Sequence, residues 1–368
     1  MPPKRIIVLC LLWICLVPRS SAEEIAAEGP TQPGRQSAKP QDLIKSAYVK
    51  SRKAKNPRDY SEIVYLLERA LRSESLTPSH RKYAEDLKGW SHNRLGEALV
   101  ERGREAAALG QFDLAVQLNG EHWKARHNRG VSYAIARRHA EAMADFNEVV
   151  RIRPEFANGW FNRGEVFKDL GDLDGAVSDF SEAIRRAPTD GGFYQARGAV
   201  LASLGKNSLA LEDLNRALQL DPGLVSAFVA RGDVLVQSGE YADAVRNYRS
   251  ALQSDQKFGP AYRSLAWLMA TCPVEHFRDG SRSVAAAEKA LSLLGENDYR
   301  SLEVLAAAQA NVGNFKEAVA LQSRAVEAAA QSLTQDQLVP TRARLIAYGQ
   351  GNPYREERVA ARPNSVSR

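Results

Sequence analysis

Cysteine is scarce in this sequence. Three cysteines occur among 368 residues, and two of them, Cys10 and Cys15, lie within the first 22 residues. That stretch has the features of a segment removed on export, which leaves Cys272 alone in the mature chain. A single cysteine excludes an internal disulfide even in an oxidising compartment, so stability must come from packed side chains.

The first 22 residues resemble a signal peptide in their charge and hydrophobicity. Lys4 and Arg5 precede a short apolar run, residues 6–17, and small residues at 20–22 suit a signal peptidase. Cleavage after Ala22 predicts an exported protein, either periplasmic or secreted, without stable membrane insertion. The alternative is an uncleaved anchor, although the run is shorter than the ~20 residues that span a bilayer.

Basic residues exceed acidic residues only slightly in this sequence. The formal net charge is +6, and residues 1–22 carry three basic residues and no acid, so the mature chain falls from +6 to +3. The high isoelectric point of the full sequence therefore reflects only a modestly basic exported protein.

Sequence motifs of catalysis are absent. We find no Walker loop, HExxH, GxSxG or CxxC pair, and the six histidines are scattered. His122 and His127 are five residues apart, a spacing that does not place two metal ligands on one helical face. Cys272 with His276 and Asp279 is a conceivable nucleophilic set, but a small apolar role at a helix end fits Cys272 better. We predict a non-catalytic protein without cofactor or metal.

The organising feature of the chain is a unit of two apolar stripes, residues 157–188. Both stripes have helical spacing, Gly171 separates them, and Pro188 ends the second. The first stripe comprises Trp160, Arg163, Gly164 and Phe167, and the second comprises Ala176, Phe180 and Ala183. Two short helices cannot bury one apolar face each by themselves, so the unit requires stacked copies.

Copies occur at a step of about 34 residues. The small residue of the first stripe recurs as Gly96, Gly130, Gly164, Gly198 and Gly232, and the alanine of the second as Ala108, Ala142, Ala176, Ala210 and Ala244. This pattern of an aromatic, a small residue, an aromatic, then Ala, Phe, Ala and Pro resembles the tetratricopeptide (TPR) repeat family. The resemblance implies an all-α superhelical solenoid of stacked antiparallel helix pairs, with about seven to eight repeats.

Composition and repeat phase predict the domain organisation. We expect a flexible linker at 23–41, a divergent first repeat at 42–88, five regular repeats at 89–258, a variant repeat with a longer internal turn at 259–298, a final repeat with a capping helix at 299–350, and a disordered tail at 351–368. The variant repeat and the ending resemble those of exported bacterial multi-TPR proteins.

One departure from the family pattern is consistent along the chain. Arginine stands where the family often has leucine, at Arg129, Arg163, Arg197 and Arg231, and the first three repeats carry Asp145, Asp179 and Asp213 on their second helices. We predict ion pairs within a repeat or between neighbours. The alternative is that these arginines form a ladder that binds the phosphate backbone of a nucleic acid. The nearby aspartates would neutralise such a ladder, so no nucleic-acid partner is expected.

In the TPR family the first helices line a groove that holds partner peptides. The resemblance implies exposed groove positions at Trp90, Asn93, Glu97, Lys124, His127, Asn158, Phe161, Glu165, Lys168, Gln195, Asp233, Arg263 and Trp267. The apolar members would be anchors, or alternatively packing residues. We predict a scaffold that binds a protein or peptide. A cell-envelope accessory protein that binds glycan or an envelope enzyme is the second hypothesis, and an enzyme without a recognisable motif is the third.

Overall fold

The computed structural model describes residues 38–357. The predicted signal peptide, most of the predicted linker and residues 358–368 of the predicted tail lie outside the described residues. Within 38–357 the regular structure consists of seventeen α-helices and one short 3₁₀ helix, with no strand. The predicted all-α class is confirmed. The chain divides into two compact units after Gly171.

The N-terminal unit contains seven helices. They are α1 (Pro40–Ser51), α2 (Pro57–Leu71), α3 (Pro78–Val100), α4 (Glu105–Leu118), α5 (Trp123–Ile135), α6 (His139–Ile152) and α7 (Ala157–Leu170). Helices α1 and α2 form a pair, as do α3 and α4, and α5 and α6. The first helices of successive pairs also meet, because α5 contacts both α3 and α7.

The C-terminal unit contains ten helices. They are α8 (Leu173–Arg186), α9 (Gly191–Ser203), α10 (Asn207–Leu220), α11 (Val225–Gln237), α12 (Tyr241–Ser254), α13 (Gly259–Thr271), α14 (Gly280–Leu294), α15 (Tyr299–Asn311), α16 (Phe315–Ala329) and α17 (Val339–Gly349), with the 3₁₀ helix at Glu275–Phe277. Pairs form between α9 and α10, α11 and α12, α13 and α14, and α15 and α16. The predicted stack of helix pairs is therefore present.

Several boundaries differ from those expected. Helix α1 begins at Pro40, inside the predicted linker. Helix α3 begins at Pro78, because Thr77 accepts a hydrogen bond from the His80 amide, so the boundary predicted at 88 falls within a helix. In the variant repeat, helix α14 begins at Gly280, capped by Asp279, and the predicted capping helix corresponds to α17, which begins at Val339. Disorder predicted from 351 onward is wrong for residues 352–357, which bind α13 through hydrogen bonds described below.

Glycine on the first helix of a regular repeat lets a buried side chain of the paired helix come close, an aromatic ring at Gly96, Gly130 and Gly232 and Leu214 at Gly198. A Cβ atom placed on Gly130 would lie 2.9 Å from Cε1 of Phe146, and one on Gly232 would lie 2.5 Å from Cε1 of Tyr248. Phe146 and Tyr248 are fully buried. A side chain at these glycines would therefore force the paired helices apart, which explains why a small residue recurs at this position.

The repeated arginines join helices, as the sequence predicts. Arg129 donates from Nε and Nη2 to both carboxylate oxygens of Asp145 at 2.8 Å, and from Nη1 to Asp113 on the preceding second helix at 2.9 Å. Arg197 makes the same two-bond contact with Asp213, at 2.7 and 2.8 Å. Within its unit, Arg163 donates to Asn147 at 2.9 Å. These guanidinium groups are engaged by the protein itself, which disfavours the hypothesis of a phosphate-reading ladder.

The turn between the two helices of a repeat uses a left-handed backbone position. Gly103, Gly171, Gly205 and Gly239 occupy it at the repeat spacing, with φ between 69° and 84°. Arg137 occupies the same position after α5, with φ 63°. A residue with a Cβ atom is strained in this conformation, whereas glycine is not.

We expect Arg137→Gly to stabilise the protein by about 1 kcal/mol, because glycine relieves the left-handed strain. Arg137 forms an ion pair with Asp169 at 3.3 Å, but its side chain is 64% exposed, so losing the pair costs little. Urea unfolding measures the change. The control is Arg137→Ala, which removes the same ion pair and keeps the strain. An equal gain in both variants would contradict the strain argument.

Candidate peptide-binding surface

The predicted groove residues lie on the first helices of both units. We call the faces of α3, α5 and α7 the N-terminal first-helix surface, and those of α9, α11, α13 and α15 the C-terminal first-helix surface. Lys124 and Asp233 are exposed on them. The partly exposed predicted residues are Trp90, Glu97, Asn158, Glu165, Lys168, Gln195, Arg263 and Trp267.

Three predicted groove residues are not exposed. Asn93 is 1% exposed, His127 is 5% exposed and Phe161 is 4% exposed. The prediction of exposure was wrong for these three because the first helices of successive repeats contact each other, and side chains at the contact are covered. Phe161 in particular is a packing residue rather than an anchor open to a ligand.

Buried amides connect α3 to α5. Asn128 donates from Nδ2 to Oδ1 of Asn93 at 3.0 Å and to Oε1 of Glu97 at 3.2 Å. Asn93 in turn donates to Glu97 at 2.9 Å. Asn128 was not among the predicted groove residues, although Asn93, Asn128 and Asn162 recur at nearly the repeat spacing. That recurrence of a polar residue is the signal that could have identified the network.

His127 connects α5 to α7. Its Nε2 lies 2.8 Å from Nδ2 of Asn162, and its ring lies against Phe146 and Phe156 with centroids 6.0 and 5.0 Å away. Burial lowers the pKa of His127 to about 4. His122 has a separate role, because its ring accepts a hydrogen bond from the Ala125 amide at the start of α5. Among residues 38–357 no group of three His, Cys, Asp or Glu side chains could hold a metal ion.

The remaining predicted residues of the N-terminal surface have mixed environments. Trp90 packs edge-on against Tyr60, with ring centroids 5.7 Å apart, and partly covers the apolar cluster beneath α1 and α2. Lys168 and Glu165 form an ion pair at 2.5 Å, one helical turn apart. Lys124 remains open to solvent beside the ring of Trp123. This surface therefore offers a cation and polar groups, with a tryptophan that is half-covered.

On the C-terminal surface, two charged groups already have partners. Arg263 pairs with Asp298 at 3.3 Å, and Asp298 also caps α15. Asp233 accepts a hydrogen bond from the Tyr248 hydroxyl at 2.7 Å, and burial raises the pKa of Tyr248 far above its usual range.

Residues 352–357 of the same chain lie on the C-terminal first-helix surface. We call residues 352–357 the C-terminal segment. Trp267 donates from Nε1 to Oε1 of Glu356 at 2.9 Å, and its ring centroid lies 5.8 Å from that of Tyr354. The Arg344 guanidinium stacks near both rings at 5.5 Å and pairs with Glu303 at 2.6 Å.

The C-terminal segment also binds the end of α13. The last carbonyls of a helix have no partner within it, and here the Glu356 amide donates to the Thr271 carbonyl at 2.9 Å. Arg355 donates to the Ala270 carbonyl at 3.1 Å and to Asn311 on α15 at 2.8 Å. Arg278 donates to the Cys272 carbonyl at 2.9 Å. An extended stretch of polypeptide therefore caps one first helix and bridges to the next.

Cys272 does not lie in a catalytic environment. It is 2% exposed, and burial raises the pKa of its thiol, which disfavours the thiolate. Asp279 caps α14 by accepting from the Arg282 amide at 3.0 Å. The exposed His276 packs its ring against Phe277. Cys272, His276 and Asp279 therefore have separate structural roles: a buried thiol, a ring packed on Phe277 and a helix cap.

We expect acid to destabilise the protein through His127. Its folded pKa lies below the unfolded value, so the unfolded chain binds more protons and stability falls as the pH drops. From about pH 7.5 to about pH 5 this group alone costs about 2 kcal/mol. Urea unfolding of His127→Gln should show a shallower pH dependence than wild type. His276→Gln controls for loss of an exposed imidazole, and parallel curves for wild type and His127→Gln would contradict the assignment.

None of the helices in the described part has the length and apolarity needed to cross a lipid bilayer.

No curated protein sequence matches the chain. Residues 93–155 and 161–225 match the family model described as tetratricopeptide repeat.

The solved structures similar to this chain include two that are described as tetratricopeptide repeat (TPR) proteins. A tetratricopeptide repeat protein from Parabacteroides merdae is 18% identical with a TM-score of 0.51, over 73% of this chain and 98% of that one. The APC/C hetero-tetramer Cut9–Hcn1 is 16% identical with a TM-score of 0.57, over 84% of this chain and 55% of that one. YrrB, titled a TPR protein with an unusual peptide-binding site, is 21% identical with a TM-score of 0.42, over 51% and 96%.

The repeat spacing, the paired helices and the family match agree with one another. The two matched stretches, residues 93–155 and 161–225, are tetratricopeptide repeats.

Proposed function

We propose that this protein is a non-catalytic scaffold that holds extended segments of a partner protein on its first-helix surfaces. The observation that carries the proposal is the C-terminal segment. Residues 352–357 have no regular secondary structure, yet α13 and α15 hold them through Trp267, backbone carbonyls and an asparagine. A segment of another protein would meet the same kinds of groups.

The groups that would hold a partner segment can bind peptides of many different sequences. Unpaired carbonyls at the end of a first helix accept from a peptide's backbone or arginine donors, and a tryptophan offers an apolar face with one donor. Stacked repeats present these groups over an extended surface. On the N-terminal surface, Lys124 would contact carboxylates, while the partly exposed Asn158 lies on the neighbouring first helix.

We also propose that the scaffold acts outside the cytoplasm, because residues 1–22 have the charge and apolar pattern of a signal peptide. Expression of the full chain in a secreting host, followed by N-terminal sequencing of the exported product, tests this. A product that begins at Glu23 is expected. A product that retains residues 1–22 would exclude cleavage.

Charge changes on the first-helix surfaces should weaken partner capture. The variant Lys124→Glu/Asp233→Asn alters one exposed residue on each surface, and the introduced amide keeps an oxygen for the Tyr248 hydroxyl. Immobilised full-length protein would capture proteins from the exported fraction, with quantitative mass spectrometry of what binds. We expect at least a roughly tenfold loss of the captured partner, because a lost charged contact weakens binding about this much.

The matched control is Lys289→Glu/Glu212→Gln, which makes the same charge changes at exposed positions of the second helices α14 and α10. This control should capture the partner as wild type does. Equal capture by both double variants, or equal loss, would reject the first-helix surfaces as the binding site.

A third arm tests the role of the C-terminal segment. A chain that ends at Gly351 uncovers Trp267 and the Thr271 carbonyl, so a partner that binds there should be captured more strongly. Unchanged capture by the shortened chain would restrict partner binding to other parts of the first-helix surfaces.

A further inference from the structure

One of the repeated arginines lacks an acidic partner. Arg129 binds Asp113 and Asp145, and Arg197 binds Asp213 together with Ser181. Arg231 stands at the equivalent position of the next repeat, and its two hydrogen-bond partners are neutral amides. It donates from Nε to Oδ1 of Asn247 at 2.7 Å and from Nη1 to Oδ1 of Asn215 at 2.8 Å.

The exchange of aspartate for asparagine removes one acceptor. At Asp145 and Asp213 the two carboxylate oxygens bind Nε and Nη2 of the arginine. Asn247 has a single oxygen, and its Nδ2 donates instead to the Asp243 carbonyl at 2.8 Å. In the part of the chain that the structure describes, Nη2 of Arg231 has no hydrogen-bond partner.

The charge of Arg231 is also uncompensated. Hydrogen bonds with Asp145 and Asp213 raise the pKa of Arg129 and of Arg197, respectively, whereas burial lowers the pKa of Arg231. The nearest acid lining the same cavity, Asp243, forms an ion pair with Arg246. A partly buried cation with neutral partners favours an incoming anion.

A cavity of about 340 Å³ opens at this arginine. It lies between α10, α11 and α12, and its polar lining consists of Asn215, Arg231, Asp243, Arg246, Asn247 and Ser250. Two guanidinium groups and a hydroxyl therefore face a space larger than a carboxylate group, on the side of the second helices α10 and α12.

We infer that this cavity binds a carboxylate, the side chain of an aspartate or glutamate presented by a partner protein, with Arg231 as its main donor. Carboxylate is the group that arginine holds at this position in two other repeats of the same chain. The incoming oxygen would accept from the free Nη2 of Arg231, with Arg246 and Ser250 as further donors. The site is separate from the first-helix surfaces and does not depend on the function proposed for them.

Arginine side-chain NMR of the full-length protein tests this inference. Acetate is the probe, titrated at constant ionic strength, and Arg231→Lys identifies the Arg231 signal by its loss. We expect the Nε–H resonance of Arg231 to shift and saturate, while that of Arg197, already bound to Asp213, stays in place.

The variant Asn247→Asp supplies the missing oxygen within the chain. It should weaken acetate binding at Arg231 about tenfold or more and raise Tm, because Arg231 then resembles Arg197. Equal shifts at Arg197 and Arg231, or unchanged acetate binding in Asn247→Asp, would overturn the inference. Saturation by inorganic phosphate without saturation by acetate would assign the cavity to phosphate and overturn the carboxylate assignment.

Discussion

In the regular repeats, neighbouring helix pairs are joined by one kind of contact, an arginine on the first helix that reaches two second helices at once. Arg129, Arg197 and Arg231 each bind the residues sixteen positions ahead and sixteen behind, as Arg129 does with Asp145 and Asp113. The first partner fixes the helix pair, and the second fixes the preceding repeat against it. Asp145 is nearly buried and also accepts from Arg126 at 3.3 Å, so two arginines together balance the charge of this carboxylate.

The glycines of the first helices and the left-handed turn residues recur at the same spacing of about 34 residues, and they hold the two helices of a pair together. Glycine on the first helix lets the buried ring of the second helix lie close, and a left-handed residue reverses the chain between them. Charge pairing, close packing and turn conformation therefore recur with the same period in the regular repeats, with two exceptions. Arg137 and Arg231 are the exceptions, one in backbone conformation and one in charge balance.

The helix pairs were predictable because their signals are local: an apolar stripe, a glycine and a proline within about 34 residues. Exposure was not, because it depends on how closely neighbouring first helices approach. Asn93, His127 and Phe161 have the right repeat position for a groove but lie at those contacts. The ordered C-terminal segment was missed for a related reason, since its Arg355 binds a carbonyl 85 residues earlier and its composition resembles that of a disordered tail.

The attachment of the C-terminal segment sets a threshold for any competitor. Few residues separate this segment from α17, so it is present beside α13 at an effective concentration on the order of millimolar, whatever the amount of free protein. A partner segment must therefore compete with this effective concentration, through higher affinity or higher concentration, before it occupies Trp267. Peptides that bind weakly would therefore fail to displace the C-terminal segment from Trp267. Among the described residues, no segment of the chain competes in this way for the N-terminal first-helix surface.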